Sequence, residues 1–249
     1  MSGKTTAGRE RNGVILNGIL KLGQRFYSAF FADNRYLAYL EGVKNTLIIS
    51  LFAVLLGVLI GVLVAVVKYV AKENKNPLLG LLDRFCRLYV TVIRATPVYL
   101  QIFIIANLIF TARDMELYAA ITCFGINSGA YVSEIIRAGI ESIDRGQFEA
   151  GQSLGLSHGT IMKSIILPQA VKNILPALGN EFITLIKETA VAGAIAVTDV
   201  TKAAQYIGSR TWDVLPPLFI AAGIYLVIVL GLTRLLNIFE RRLAASDHH

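Results

Sequence analysis

Charged residues are scarce in this sequence. Only 16% of its 249 residues are Asp, Glu, Lys or Arg, whereas 55% are hydrophobic. A soluble domain of this length usually carries about a quarter charged residues. The apolar residues are also concentrated, because segments 47–67 and 214–233 contain no charged residue. Charge-free apolar stretches of about 18 or more residues are typical of transmembrane helices. The composition therefore excludes a soluble globular protein and indicates an integral membrane protein.

Cysteine and histidine are also rare. The two cysteines, Cys86 and Cys123, lack the CxxC spacing of redox and zinc motifs, so we expect both to act as small apolar side chains. The three histidines are His158 and the last two residues of the chain. The apolar segments contain no Ser/His/Asp set and no cluster with metal-ligand spacing. We therefore expect no catalytic residue and no metal ligand, and a membrane-embedded enzyme is an unfavoured alternative.

A nucleotide-binding motif is missing as well. Residues 2–6, Ser-Gly-Lys-Thr-Thr, are similar to the end of a phosphate-binding loop. They lack the first glycine of that motif and the apolar strand that precedes it. We therefore expect this chain to bind no cofactor and to hydrolyse no ATP.

The apolar segments that are present predict the fold. We expect an all-α, polytopic membrane protein with about five transmembrane helices, at residues 45–69, 88–110, 117–140, 176–197 and 214–236. Pro97 interrupts the second helix and predicts a kink. The formal net charge of +7 fits Lys- and Arg-rich cytoplasmic loops beside membrane lipid better than nucleic-acid binding. By this rule the loop after the first span, the segment after the third and the C-terminus are cytoplasmic.

The chain divides into an N-terminal segment, 1–44, a transmembrane domain, 45–243, and a short tail, 244–249. Apolar residues recur in the first segment at helical spacing: Ile15, Ile19, Leu22, Phe26 and Phe30. This pattern predicts an amphipathic helix at the membrane surface, and a loosely ordered basic tail is the alternative. Five spans would place this segment outside the cell, although its Lys and Arg residues favour the inside.

The polar segment 144–168, between the third and fourth spans, contains residues that typically begin or end helices. Asp144, followed three residues later by Gln147, predicts the start of a short helix, and Gly155 predicts its left-handed end. Ser157 predicts the start of a second short helix, and Pro168 is expected to stop it or redirect the chain. The segment therefore predicts two short helices joined by a glycine turn.

This segment resembles the cytoplasmic signature of binding-protein-dependent ABC importer permeases. That signature is Glu-Ala-Ala, three residues, Gly, nine residues, Ile, one residue and Leu-Pro, and here it corresponds to residues 149–151, Gly155, Ile165 and 167–168. The one departure is Gly151, where a second alanine is usual. Residues 93–97, 130–137 and 174–182 resemble the polar amino acid branch of the family. The resemblance covers roughly residues 36–243.

The resemblance implies a permease subunit in the bacterial cytoplasmic membrane. It implies a separate ABC ATPase subunit that binds ATP and Mg, an extracellular or periplasmic solute-binding protein, and a second copy of this chain or a similar permease. It also implies that segment 144–168 contacts the ATPase, and we call it the coupling segment. The residues expected to make this contact are Phe148, Glu149, Ala150, Gly151, Gly155, Leu156, Leu167 and Pro168.

Two alternatives to an amino acid permease remain at this stage. The first is a permease for another small solute. The second is a membrane-tethered DNA-binding protein, because residues 150–161 also look like a helix-turn-helix with Gly-Leu-Ser at the turn. That fold needs a third helix and a soluble core, whereas membrane spans flank this segment closely. We therefore expect no nucleic-acid partner.

Polar residues within the spans are the candidates for substrate binding, because ionisable groups in a bilayer usually face a pathway or a partner. Asn127 and Glu134 share one face of the third span. On the fourth span Glu181, Thr184 and Glu188 share a face, with Asn180 alongside. These faces are expected to line a cavity for a zwitterion. The alternative is that Glu134 pairs with Arg137 and Glu188 with a basic neighbour. Arg94 is expected to fix the Pro97 kink or to meet a lipid headgroup.

Overall fold

A computed structural model describes residues 17–18, 20–74 and 76–245 of the chain. Within these ranges the secondary structure is helical and contains no β-strand, which confirms the all-α prediction. The helices are α1 (residues 20–30), α2 (Tyr36–Glu73), α3 (Pro77–Ala95), α4 (Val98–Leu108), α5 (Glu116–Glu141), α6 (Arg145–Ser153), α7 (His158–Ile161), α8 (Leu167–Glu188), α9 (Val200–Thr211) and α10 (Leu215–Ala245). The predicted helical positions Ile15 and Ile19 lie outside the described residues, as do residues 246–249.

Two of these helices are long and apolar enough to cross a membrane by themselves. They are α2, with the turn before it, and α10. Helices α3 and α4 together form a third candidate, bent by 112° at the break between them. Helices α5 and α8 have 26 and 22 residues, which suffices to cross a bilayer, but they are less apolar and contain several polar side chains. These five units correspond in order to the five predicted spans.

Glycines allow α2 and α5 to pack closely. Gly57 and Gly61 on α2 and Gly125 and Gly129 on α5 each form a Gly-xxx-Gly pair, the small-residue spacing that favours helix contact in membranes. A Cβ on Gly57 would lie 2.7 Å from Cβ of Ser128, and one on Gly129 would lie 2.7 Å from Cγ2 of Ile60. The contacts advance in the same direction along both helices, so α2 and α5 run parallel.

The kink at Pro97 is confirmed, and a glutamine stabilises it. Gln101 Nε2 donates to the carbonyl oxygens of Ile93 (2.8 Å) and Thr96 (3.1 Å) and lies 2.8 Å from Thr96 Oγ1. Gln101 Oε1 accepts from Asn127 Nδ2 at 3.0 Å. The amide thus satisfies carbonyls that the broken helix leaves open and joins the bend to α5. Arg94, which was expected to fix the bend or to meet a lipid headgroup, lies over the Tyr131 ring of α5.

The second short helix does not end at Pro168. Helix α7 continues through a π-helical segment, Met162–Ile166, directly into α8, and Pro168 lies in the first turn of α8. The wider π turn, in which Leu167 N–H bonds to Met162 O, accommodates a residue without an N–H. The fourth span is shifted accordingly. Its helix runs from Leu167 to Glu188, and Thr189–Ile195 forms a 3₁₀ helix instead of the end of the span.

Helix α1 has an exposed side and a side that packs against other helices of the protein. Phe26 lies 6.4 Å from Phe219 of α10 between ring centroids, and Phe30 lies 5.8 Å from Tyr39 of α2. The Arg25 guanidinium donates two 2.6 Å hydrogen bonds to Asp213, in the turn before α10. Part of the predicted amphipathic face of α1 therefore contacts α2 and α10. Cys86 is half-buried and Cys123 is buried, and both are free thiols.

Candidate functional site

The coupling segment begins and turns as its sequence predicts. Asp144 Oδ1 accepts from Gly146 N–H at 2.6 Å and caps α6. Gly155 has φ +76°, in the left-handed region that an L-residue avoids. Ser157 Oγ accepts from Thr160 N–H at 3.3 Å and caps α7. The glycine turn thus sets the angle at which α6 meets α7.

One side of α6 packs against α7. Gly151 is buried, and a Cβ at this position would lie 2.8 Å from Cγ1 of Ile161, so an alanine here would displace Ile161. The rings of Phe148 and His158 meet edge to face, with centroids 4.6 Å apart. Gly151, the one departure from the family signature, is therefore a close-packing position in this chain.

His158 connects the coupling segment to α2. Its Nε2 lies 3.2 Å from Glu73 Oε1, at the end of α2, and its ring centroid lies 6.1 Å from that of Tyr69. Phe148 and His158 therefore form a continuous series of contacts from α6 to α2. Sequence reasoning placed His158 in the segment but gave it no role, because its partners are remote in sequence.

The other side of α6 is exposed. Glu149 and Ala150 are solvent-accessible, and Leu154, which follows the helix, is 80% exposed. Leu156 is 38% exposed. Leu167 and Pro168, also expected to contact the ATPase, form the first turn of α8. Leu154 was not among the residues expected to contact the ATPase.

The candidate substrate residues lie at separate places. Asn127 is buried, and its side-chain amide bonds to Gln101. Glu181 Oε1 accepts from Ser128 Oγ of α5 at 2.8 Å. Asn180 is exposed and donates to Pro176 O at 3.2 Å. Thr184 and Glu188 are half-buried further along α8. Glu181 therefore bridges α8 to α5 at Ser128, the residue that follows Asn127 in the sequence.

Glu134 belongs to a different cluster, six residues or about 9 Å further along α5 than Ser128. Its carboxylate lies 3.2 Å from Lys68 Nζ of α2 and 2.9 Å from Arg137 Nη2, and Arg94 Nη1 is 3.8 Å away. The structure thus contains the Glu134–Arg137 pair that the sequence offered as the alternative to a substrate-binding role. It does not bring Glu134 and Glu181 into one contact. Lys68 was not foreseen as a partner.

The structure contains membrane-length helices that carry polar side chains. An exposed segment of short helices lies between two of them. This combination is typical of a helical membrane transport subunit. The chain belongs to the family described as the binding-protein-dependent transport system inner membrane component, which matches residues 57–245. It is thus an inner-membrane permease component of an ABC importer.

Relatives and solved structures agree with this assignment. The chain is 42% identical over 186 residues to the arginine transport system permease protein ArtQ of Bacillus subtilis, a match covering 68% of this chain and 84% of that one. It is 41% identical over 215 residues to a protein of Rickettsia typhi named for glutamine transport, GlnP, covering 85% of this chain and 95% of that one. A crystal structure of an amino acid ABC transporter with histidines shares 40% identity and a TM-score of 0.76, over 83% of this chain and 94% of that one. The inward-facing MetNI methionine transporter, at 19% identity and TM-score 0.72, shares the fold.

Proposed function

We propose that this chain is the permease subunit that forms the pathway of an ATP-driven importer for polar amino acids. The observation that carries the proposal is the coupling segment: a short capped helix with an exposed face, set on a left-handed glycine and placed between two long helices. The relatives named for glutamine and arginine transport support the substrate class. In this proposal the C-terminus lies in the cytoplasm, on the side of the coupling segment.

The exposed face of α6 suits a groove on an ATPase subunit. Leu154 supplies apolar area and Glu149 supplies a charge, while Phe148 and Gly151 hold the helix on α7. ATP and Mg would be bound by that partner. Closure of two ATPase subunits would move the coupling segments of two permeases, and the Phe148–His158–Glu73 contacts would carry the motion to α2.

The pathway itself would lie between this chain and a second copy or a similar permease, supplied by a solute-binding protein. Glu181 is the acceptor we assign to a substrate ammonium group, with Asn180, Thr184 and Glu188 on the same helix around it. Ser128 would hold the Glu181 carboxylate in position. Asn127 would act through Gln101, by fixing the bend beside the pathway.

Uptake by proteoliposomes tests this function. The chain is co-reconstituted with its ATPase and solute-binding protein, and entry of labelled glutamine, arginine and cystine is measured with ATP and with a non-hydrolysable analogue. We expect ATP-dependent uptake of at least one of these amino acids, and none with the analogue. Uptake of a sugar or an inorganic ion, and of no amino acid, would contradict the proposal.

A further inference from the structure

Helix α3 has a charged face that is separate from its exposed apolar face. The residues that share this face are Asp83, Arg87, Thr91 and Arg94. Phe85 and Leu88, 61% and 59% exposed, form a separate apolar face, and Val90 packs toward α2 and α5. In a membrane-spanning helix, a charged face distinct from the exposed apolar one indicates a water-filled path or a polar ligand.

The charged face opens on a cavity of about 520 Å³ between α2, α3 and α5. This volume lies in the range of small-molecule pockets, about 300–1,000 Å³. The charged side chains that line it are Lys68, Arg87, Arg94 and Glu134. Arg87 is paired with Asp83 at 2.5 Å, and Glu134 contacts Lys68 and Arg137. Positive charge is therefore in excess, which favours the anionic group of a ligand.

Arg94 is the cation best placed to bind that group. Its guanidinium carbon lies 5.3 Å from the centroid of the Tyr131 ring, a cation–π contact that orients its plane. Its 3.8 Å approach to Glu134 is too long for a hydrogen bond. The side chain is 45% exposed and lines the cavity. A planar guanidinium held in this way matches the two oxygens of a carboxylate.

We infer that Arg94, oriented by Tyr131 and assisted by Lys68, binds the α-carboxylate of the transported amino acid, with Glu134 facing its ammonium group. The inference rests on the proposed function and adds a second substrate-binding site, separate from Glu181. Lys68 and Arg87 also line a neighbouring cavity of about 450 Å³ that extends to His158 and Met162. This second site therefore lies on the coupling-segment side of the pathway, where the substrate would pass before its release from the permease.

Substrate protection of a cysteine in the cavity tests this inference. Thr91 lines the cavity, so Thr91→Cys is introduced into a chain in which Cys86 and Cys123 are replaced by alanine. The full complex is placed in phosphatidylcholine nanodiscs. The rate of maleimide labelling is then measured at increasing concentrations of L-arginine, L-glutamine or the carboxamide of either amino acid. We expect at least one of the two amino acids to slow labelling and its carboxamide to have no effect. Arg94→Gln should raise the half-protecting concentration at least tenfold, since a charged hydrogen bond is lost.

Arg84→Gln is the matched control, because Arg84 is exposed on α3 outside the cavity lining, and it should leave protection unchanged. Equal protection by acid and carboxamide, or no effect of Arg94→Gln, would overturn the inference. Protection by phosphatidylglycerol in the nanodisc, but not by an amino acid, would also overturn it and assign the cavity to a lipid headgroup. Uptake by the wild-type complex, measured in parallel, separates these results from a failure of the proposed function.

Discussion

Ser128 on α5 donates a 2.8 Å hydrogen bond from its hydroxyl to the Glu181 carboxylate on α8. Ser128 itself is fully buried against Gly57 of α2. Ser128 therefore bonds α5 to α8 and packs against α2, beside the acidic group that we assign to substrate recognition. In the proposed function, a shift of α2 relative to α5 would therefore reposition the Glu181 carboxylate.

Glu181→Gln should change charge selectivity. In our proposal the Glu181 carboxylate also accepts from the side-chain guanidinium of arginine, a charged group that glutamine lacks. A hydrogen bond to a charged group contributes about 1.5–3 kcal/mol, roughly twice a neutral one, so uptake of arginine should fall by about tenfold or more relative to glutamine. The measurement is the ratio of kcat/KM for the two amino acids in proteoliposomes. Ser128→Ala, which removes only the donor that holds Glu181, should change this ratio in the same direction but less. An unchanged ratio in both variants, with lower thermal stability, would assign Glu181 to helix packing alone.

Gly57→Ala should destabilise the folded protein. The added Cβ would lie 2.7 Å from the Ser128 side chain, and overpacking of a close contact costs typically about 1–3 kcal/mol. Gly80→Ala is the matched control, since Gly80 is helical and nothing lies within 4 Å of its Cβ position. The measurement is the apparent Tm in detergent. We expect a lower Tm for Gly57→Ala and an equal or higher one for Gly80→Ala, and the reverse order would refute close packing of α2 on α5.

The Arg25–Asp213 contact should make the attachment of α1 depend on pH. Hydrogen bonds from the Arg25 guanidinium lower the pKa of Asp213 below its ordinary value. The stability from this contact is thus complete above the ordinary Asp pKa of about 3.9 and is lost as the pH falls through the lower value in the folded protein. The measurement is protease cleavage in α1 between pH 6 and pH 3. Cleavage of the wild-type protein in α1 should become faster as the pH approaches 3, whereas Asp213→Asn should be cleaved readily over the whole pH range.

The features that the sequence predicted correctly are local ones. Asp144, Gly155 and Ser157 act on backbone groups within three residues of themselves, so residue type and spacing suffice to place them. The Pro97 kink is local in the same sense. The error at Pro168 arose because a proline in the first turn of a helix looks like one that ends the previous helix.

The features that escaped prediction depend on residues distant in sequence. Gln101 reaches Asn127, and Lys68 reaches Glu134 across 66 positions, so neither pair follows from the spacing on one helix. The two Gly-xxx-Gly pairs of α2 and α5 are visible in the sequence, but their partners become evident only when the helices are packed. The separation of Glu134 from Glu181 likewise depends on how α2 and α8 meet α5.

Substrate-stimulated ATP hydrolysis in the Glu149→Lys complex tests the coupling segment most directly. Glu149 is exposed on α6, so charge reversal should leave the fold intact but oppose a cation on the ATPase. Docking is measured as the amount of ATPase subunit that stays bound to the permease during purification. Coupling is measured as the rate of ATP hydrolysis with and without glutamine or arginine. Glu116→Lys, the same reversal on an exposed residue at the other end of α5, is the control for ATPase retention. We predict that Glu149→Lys and Gly155→Asp remain folded and lose ATPase retention or stimulation, while Glu116→Lys retains the ATPase. Full retention and full stimulation in both coupling-segment variants would contradict the account.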